Sequence, residues 1–313
     1  MKQEHKLEQS ESGQTSLVSI LDLFYEIWRL KIFVVVVTIA FSTIGVFFAL
    51  SLPNLYQANV ITVPDEGAVN QFGGQNRSLG GLAGLAQLGM GVQTVDKVSI
   101  ALEIAKSREF LVNFIERHDL LPELMAVKEW DAVSKELILD SSVYNSKTKE
   151  WVRNVSAPFQ QKPSPSEYVP IMRQHFSIVR DTSVGTYTFI VEHQSPEVAY
   201  RWVKLLVKDL NDVVRARYIA DAERSLEYLY AELEKTSVQS AQQAFFQMVE
   251  QQIQTKMLAN TRPDYVFSII DPAAIPEFKV APSCAVICMI FALFGAFLAV
   301  AIVWIRFFVR LSK

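Results

Sequence analysis

Two long apolar runs dominate the pattern of hydrophobic and polar positions along the chain. Residues 32–52 and 280–305 contain no Asp, Glu, Lys or Arg. A helix of about 20 apolar residues crosses the roughly 30 Å hydrocarbon core of a bilayer, so each run is long enough to span a membrane. The 31 residues before the first run are mostly polar, which argues against a cleaved signal peptide. We therefore predict two transmembrane helices, 32–52 and 280–305.

The strongest periodic signal between these runs lies in residues 196–262. No Gly or Pro occurs from Glu197 onward in this region, and Ser195 and Pro196 supply an N-cap and a first helical residue. Apolar residues recur in it at steps of four: Val198, Trp202, Leu206, Leu210 and Val214, then Phe245, Val249, Ile253 and Met257. This spacing predicts long helices whose apolar stripes pack against other helices.

One straight helix over this region would be roughly 95 Å long. Too few residues would then remain for the chain to return to the second run. The segment Thr236–Gln239 has the capping-box pattern that starts a new helix. We therefore predict a helical hairpin that bends near residues 235–240.

The rest of the region between the runs mixes short strands and helices. Alternating or β-rich stretches predict strands at 56–63, 175–180, 186–193 and 266–270, with a five-residue connection at 181–185. Residues 96–118 have helical spacing, and residues 122–170 are expected to be irregular because prolines punctuate their end. The predicted class is α+β, with an α/β base domain, a helical hairpin and two flanking transmembrane helices.

Basic residues predict the orientation in the membrane. Arg29 and Lys31 lie just before the first run, and Arg306, Arg310 and Lys313 lie just after the second run. Lys279, just before the second run, is a single exception. Because Lys and Arg concentrate in cytoplasmic loops, both termini are expected in the cytoplasm. Residues 53–279 then form one domain on the other side, which in a Gram-negative bacterium is the periplasm.

Composition agrees with this segregation of apolar and polar segments. The chain of 313 residues is 50% hydrophobic and 20% charged, and its mean hydropathy is +0.18. Both cysteines, Cys284 and Cys288, lie inside the second run, so a disulfide-stapled scaffold is excluded. Residues 53–279 carry 23 Lys and Arg against 28 Asp and Glu, a balance that does not indicate nucleic-acid binding.

Motifs for catalysis are missing from the sequence pattern. Eight of the twelve glycines lie between 67 and 91, but no Lys-Ser/Thr pair closes this stretch, so a phosphate-binding loop is not indicated. The four histidines are scattered without metal-ligand spacing, and His193 is expected at the surface. We predict no enzyme activity, no cofactor and no metal, although a pair of carboxylates that meets only in the fold stays open.

Small residues within the two apolar runs are candidates for helix packing. Gly45 and Ala49 in the first run, and Gly295 and Ala299 in the second, have the spacing at which helices approach closely. An equally good interpretation is that Gly and Ala are simply common in membrane helices.

Several segments resemble the Wzz-type polysaccharide co-polymerases, the chain-length determinants of bacterial surface polysaccharides. They include residues 22–29 before the first run, 106–110, 195–199, 225–229 and 258–265. The most specific is the proline-rich approach to the second run, Asp271-Pro-Ala-Ala-Ile-Pro-Glu277 continuing to Pro282. Lys279 and Ser283 depart from the pattern, since the family usually has a further proline and a basic residue there.

The resemblance implies a non-catalytic regulator of polysaccharide length, such as that of lipopolysaccharide O-antigen. It implies a homo-oligomer in the inner membrane, with a membrane-embedded polysaccharide polymerase and the growing lipid-linked glycan as partners. Pro272, Pro276 and Pro282 are its candidate functional residues, since proline ends a strand ladder and stiffens the chain before the span. Only eight residues follow the second run, so we expect the short form without a kinase domain.

The expected organisation follows from these observations. It comprises a cytoplasmic tail (1–31), a first span (32–52), a periplasmic domain (53–279), a second span (280–305) and a cytoplasmic stub (306–313). Within the periplasmic domain, the base is expected at about 53–195 and 263–279 and the long helical region at 196–262.

Two other functional classes remain open on the sequence. A two-span periplasmic sensor has the same layout but needs a long cytoplasmic signalling region, and we expect only a stub here. A glycan-active periplasmic enzyme would depend on a single Asp or Glu in a cleft, whereas a regulator would respond by degrees to changes at many surface positions.

Overall fold

The computed structural model describes residues 28–65 and 97–311. Its helices are α1 (Lys31–Ser51), α2 (Lys97–Lys106), α3 (Arg108–Arg117), α4 (Leu121–Met125), α5 (Pro165–His175), α6 (Pro196–Lys235), α7 (Gln239–Thr261) and α8 (Cys284–Leu311). Its strands are β1 (Leu55–Pro64), β2 (Val127–Asp131), β3 (Glu136–Leu139), β4 (Tyr144–Asn145), β5 (Glu150–Trp151), β6 (Phe176–Asp181), β7 (Thr186–His193), β8 (Phe267–Asp271) and β9 (Lys279–Ala281). The glycine-rich stretch 67–91 and the tail before residue 28 lie outside the described residues.

The structure divides into two compact units. One contains α1 and α8 with their flanking residues, and the other contains residues 54–281. The predicted α+β class, with two terminal helices long and apolar enough to cross a membrane, is confirmed.

An antiparallel sheet in the order β6–β7–β1–β8 forms the centre of the larger unit. The register of β1 with β7 runs from Tyr56 opposite His193 to Thr62 opposite Tyr187. Alternate β1 residues face the core, and Ala58, Val60 and Thr62 are almost completely buried. This period of two is the pattern from which the strand was predicted.

Two separate strands, β8 and β9, pair with the other edge of β1. The residue partners are Pro64–Phe267 through Ile61–Asp271 for β8, and Tyr56–Lys279 and Leu55–Ala281 for β9. Residues 272–278 connect these two short strands, so the chain leaves the edge of β1 and then returns to it.

The first half of α6 covers one face of the sheet. Its predicted stripe from Val198 to Val214 is buried, and Trp202, Leu206 and Leu210 have no exposed surface. Ser195 caps the helix as predicted, because its side chain accepts a hydrogen bond from the Val198 amide at 3.4 Å. Helices α2, α3 and α5 contribute further apolar side chains to the same core.

The predicted helical hairpin is present. Helix α6 ends at Lys235, α7 begins at Gln239, and a salt bridge of 2.8 Å joins Lys256 of α7 to Glu223 of α6. The predicted capping box is wrong: the N-cap of α7 is Val238, without a side-chain bond. Thr236 instead donates from its hydroxyl to the Glu232 carbonyl at 2.9 Å and so closes the preceding helix.

Three other expectations differ from the structure. The helix predicted over 96–118 is broken at Ser107, whose side chain caps α3 by accepting from the Phe110 amide at 3.2 Å. Residues 122–170 contain α4, the β2–β3 and β4–β5 pairs and the start of α5, because polar turn residues separate very short elements. The second apolar helix begins at Cys284 rather than 280, since residues 279–281 pair with β1.

Candidate functional site

Two of the three candidate prolines directly follow the short strands β8 and β9, and the third lies between these strands. Pro272 directly follows β8, Pro276 lies in the connection 272–278, and Pro282 directly follows β9. Proline has no N–H to donate to a strand ladder, so its positions explain why both strands stop where they do. The involvement of these prolines in function stays a prediction.

The side chains of this segment are unusually exposed for apolar residues. Phe278 is 82% exposed, and Ile275 and Val280 are each more than half exposed. Between Phe278 and Val280, Lys279 donates from Nζ to the Asn54 side-chain oxygen at 2.9 Å. This bond adds a polar contact to the pairing of β9 with the start of β1.

The predicted small residues of the two apolar helices lie at buried positions. These residues are Gly45 and Ala49 of α1 and Gly295 and Ala299 of α8. A Cβ added to Gly45 would lie 2.8 Å from the Phe291 Cβ, and one added to Gly295 would lie 2.7 Å from the Phe41 Cβ. Both glycines therefore let the backbones of α1 and α8 approach closely. A role in function stays a prediction.

The hairpin carries an uncharged and partly apolar surface. Residues 236–249 contain no Asp, Glu, Lys or Arg, and Phe246 is 60% exposed. The later apolar stripe is only partly covered within the described residues, because Val249 is buried while Ile253 and Met257 are about half exposed. Successive steps of four residues rotate by about 40° around a helix of 3.6 residues per turn, so the row turns away from α6.

His193 is buried, in contrast to the surface position expected from the sequence. It ends β7 with only 2% exposure. Its Nε2 lies 2.9 Å from the Glu123 carbonyl oxygen, and its Nδ1 accepts from the Ser195 amide at 3.0 Å. Burial lowers the pKa of His193 to about 4, and nearby His175 acts in the same direction. The imidazole is therefore a neutral structural link between α4, β7 and the start of α6.

A buried lysine is held by aromatic rings at the start of α2. The ammonium of Lys97 lies 5.1 Å from the ring centre of Tyr218 and 5.2 Å from that of Tyr265. Burial lowers the pKa of Lys97, while the charge of Asp65 opposes this shift. Burial also raises the pKa of the Tyr265 hydroxyl to about 12. These contacts attach α2 to α6 and to the chain just before β8.

A cleft of about 610 Å³ lies between α2, α3 and α6, and three carboxylates line it: Glu103, Glu109 and Asp209. Asp209 is engaged, since Arg117 donates to it at 3.2 Å and the His118 Nε2 lies 2.9 Å from the same oxygen. Within residues 28–65 and 97–311, no group of three or more His, Cys, Asp or Glu side chains is placed to hold a metal ion.

Sequence reasoning missed Asn211, a polar anchor between α6 and β8. Its side-chain oxygen accepts from the amides of Val266 and Phe267 at 3.0 Å each, and its side-chain nitrogen donates to the Phe267 carbonyl at 2.9 Å. The available signal was its position, four residues after Val207 and three before Val214, on the apolar face of the helix.

Comparison with known proteins finds a similarity to one family over about a third of the chain. Residues 16–118 match the model of the family described as "Wzz: Chain length determinant protein". This match confirms the predicted resemblance to the Wzz-type polysaccharide co-polymerases. The proline-rich segment lies outside the matched range. No curated protein matches the chain.

Two solved structures are similar to the chain at low identity. The alignment with a "full-length bacterial polysaccharide co-polymerase" has 12% identity, covers 93% of this chain and 98% of that protein's chain, and gives a TM-score of 0.33. The alignment with a "Fragment of WzzB, Polysaccharide Co-polymerase from Salmonella Typhimurium" has 14% identity, covers 73% of this chain and 100% of that fragment, and gives a TM-score of 0.29.

Proposed function

We propose that the chain is a non-catalytic regulator of the length of a bacterial surface polysaccharide, the O-antigen of lipopolysaccharide. The observation that carries this proposal is the match of residues 16–118 to the chain length determinant family. In this role the protein sets how many repeat units a membrane polymerase joins, and it does so through its assembly and its surface.

The proposed location is the inner membrane, with both termini in the cytoplasm and residues 53–279 in the periplasm. The apolar surface of the two terminal helices supports membrane insertion: Phe47 of α1 is 72% exposed and Phe297 of α8 is 75% exposed. Lipid accommodates such surfaces, whereas water does not. The proposed organisation keeps the base at about 53–195 and 263–279 and the long helical region at 196–262.

The hairpin surface supports the proposed assembly into homo-oligomers that act with the polymerase. The uncharged segment 236–249 presents Phe246 and Met248, which are 60% and 50% exposed. Protein interfaces favour aromatic residues and Met and disfavour charges at their centre. The growing lipid-linked glycan is a further proposed partner in the same assembly.

The test compares variants of the hairpin with a variant of the cleft. In a strain that lacks its own copy, wild type, Phe246→Ser, Met248→Ser and Glu103→Gln are expressed at equal levels, and lipopolysaccharide is separated by gel. The proposal expects each hairpin variant to shift or broaden the cluster of lengths, while Glu103→Gln leaves it unchanged. Loss of length control only with Glu103→Gln would contradict the proposal and favour a glycan-active enzyme.

A further inference from the structure

Exposed apolar side chains flank a lysine on β9, close in sequence to α8. Phe278 is 82% exposed and Val280 is 53% exposed, on either side of Lys279. Large apolar side chains on a surface indicate contact with a partner when they are grouped. The nearest candidate by chain connectivity is the lipid surface itself.

Chain connectivity places this group close to the membrane. Phe278 precedes the first residue of α8, Cys284, by six residues, a reach of at most about 20 Å. Leu55, which pairs with Ala281 of β9, follows the end of α1 at Ser51 by four residues, a reach of about 14 Å. Both apolar helices therefore connect to the sheet at the same β1–β9 pair.

We propose that Phe278 and Val280 insert into the interfacial layer of the bilayer, with the ammonium of Lys279 at the level of the lipid headgroups. Aromatic rings and long basic side chains are favoured at this level, where an apolar stem meets water. The inference rests on the membrane insertion given in the proposed function. It assigns a role to Lys279, the basic residue that does not fit the charge asymmetry of the two apolar runs.

The Asn54 contact supports this arrangement. Lys279 donates to the Asn54 oxygen at 2.9 Å, so its ammonium is held beside a residue that follows the end of α1 at Ser51 by only three positions. The neighbouring Glu277 precedes Phe278 and is exposed. Because a carboxylate is disfavoured at an anionic lipid surface, Glu277 is expected to remain in water.

The test uses the full-length protein with Cys284 and Cys288 replaced by Ala and a single nitroxide label at a new cysteine. The purified protein is placed in phosphatidylcholine and phosphatidylglycerol vesicles, and collisions of the label with oxygen and with a water-soluble nickel complex are measured. The variants are Phe278→Cys and, independently, Val280→Cys. Oxygen concentrates in lipid and the nickel complex in water.

Two further labels serve as references. Leu293→Cys, at an exposed position of α8, reports the bilayer core. Val184→Cys, also at an exposed position, reports water. Val184 lies in the turn between β6 and β7, three residues before Tyr187. Tyr187 pairs with Thr62, about six residues or 20 Å along β1 from Tyr56.

The proposal expects labels at 278 and 280 to collide with nickel several-fold less than the label at 184, while oxygen collisions stay high. Low collision with both reagents would mean that protein covers the site, and it would overturn the proposal. Nickel collision equal to that at 184 would overturn it too. When the labels at 278 and 280 give one of these contrary results, the label at 293 separates two causes. A water-accessible label at 293 would mean that the proposed membrane insertion also fails. A lipid-exposed label at 293 would mean that only the further inference fails.

Discussion

Removing the side chain of Asn211 is expected to detach β8 from α6. Phe267 pairs with Pro64 of β1, and at the neighbouring position the Asp65 amide donates to the Val266 carbonyl at 2.9 Å. Hydrogen-bonded and non-bonded pairs alternate along an antiparallel ladder, so the N–H and C=O of Phe267 point away from β1. Asn211 donates to this carbonyl and accepts from the Phe267 and Val266 amides. Its side chain therefore supplies three backbone partners that the strand ladder does not supply, at a position only 3% exposed.

The magnitude follows from these three bonds. A net hydrogen bond contributes about 1 kcal/mol, and a buried group left without a partner costs about 1–3 kcal/mol. We expect Asn211→Ala to lower the free energy of unfolding by about 3 kcal/mol or more. Unfolding by urea in mild detergent is followed by tryptophan fluorescence, to which Trp202, fully buried in the same core, contributes.

The matched control is Asn260→Ala. Asn260 is exposed and donates only to the Lys256 carbonyl of its own helix, so its loss should change stability by less than about 0.5 kcal/mol. If Asn211→Ala is as stable as this control, then Asn211 does not anchor β8, and the account of that strand edge is refuted.

Three more predictions concern titration and helix packing. The pKa of His193 in the folded protein is about 4, below its ordinary 6.5. The free energy of unfolding should therefore fall as pH drops from 6.5 to 4, by up to about 3 kcal/mol. Urea titrations at each pH should show that His193→Gln flattens this fall. Hydrogen bonds from Arg153 lower the pKa of Glu167 from 4.5 to about 2, so its contribution should persist above pH 4.5 and disappear toward pH 2; an unchanged acid profile for Glu167→Gln would contradict this. Gly295→Ala should weaken the packing of α1 on α8, because the added Cβ would lie 2.7 Å from the Cβ of Phe41. The variant should melt at a lower temperature in detergent than the exposed control Leu293→Val. Equal melting temperatures would refute this prediction.

Local patterns predicted the elements whose neighbours reinforce them. The alternation in residues 56–63 predicted β1, and the apolar period with Ser195 as cap predicted the start of α6. Both elements bury one face in the core, so pattern and packing agree. The hairpin followed from chain length and geometry, since the chain must return from α6 to the second apolar helix.

Tertiary contacts decided the features that the sequence did not predict. Residues 280 and 281 belong to an uncharged run, but pairing with β1 makes them a strand. His193 follows Tyr187, Phe189 and Val191 on the buried face of β7, but its polar partners come from Glu123 and Ser195 and were not predictable from that alternation. The break at Ser107 lies within a continuous helical pattern, where capping of the next helix outweighs continuation.

The most direct test of the central claim is the length distribution of the surface polysaccharide. The gene is deleted, the strain carries either the wild-type gene or an empty vector, and the repeat units per chain are counted by gel and mass spectrometry. The account predicts a clustered set of lengths with the wild-type gene and a random, short-biased ladder with the vector. Identical distributions in the two strains would contradict the account.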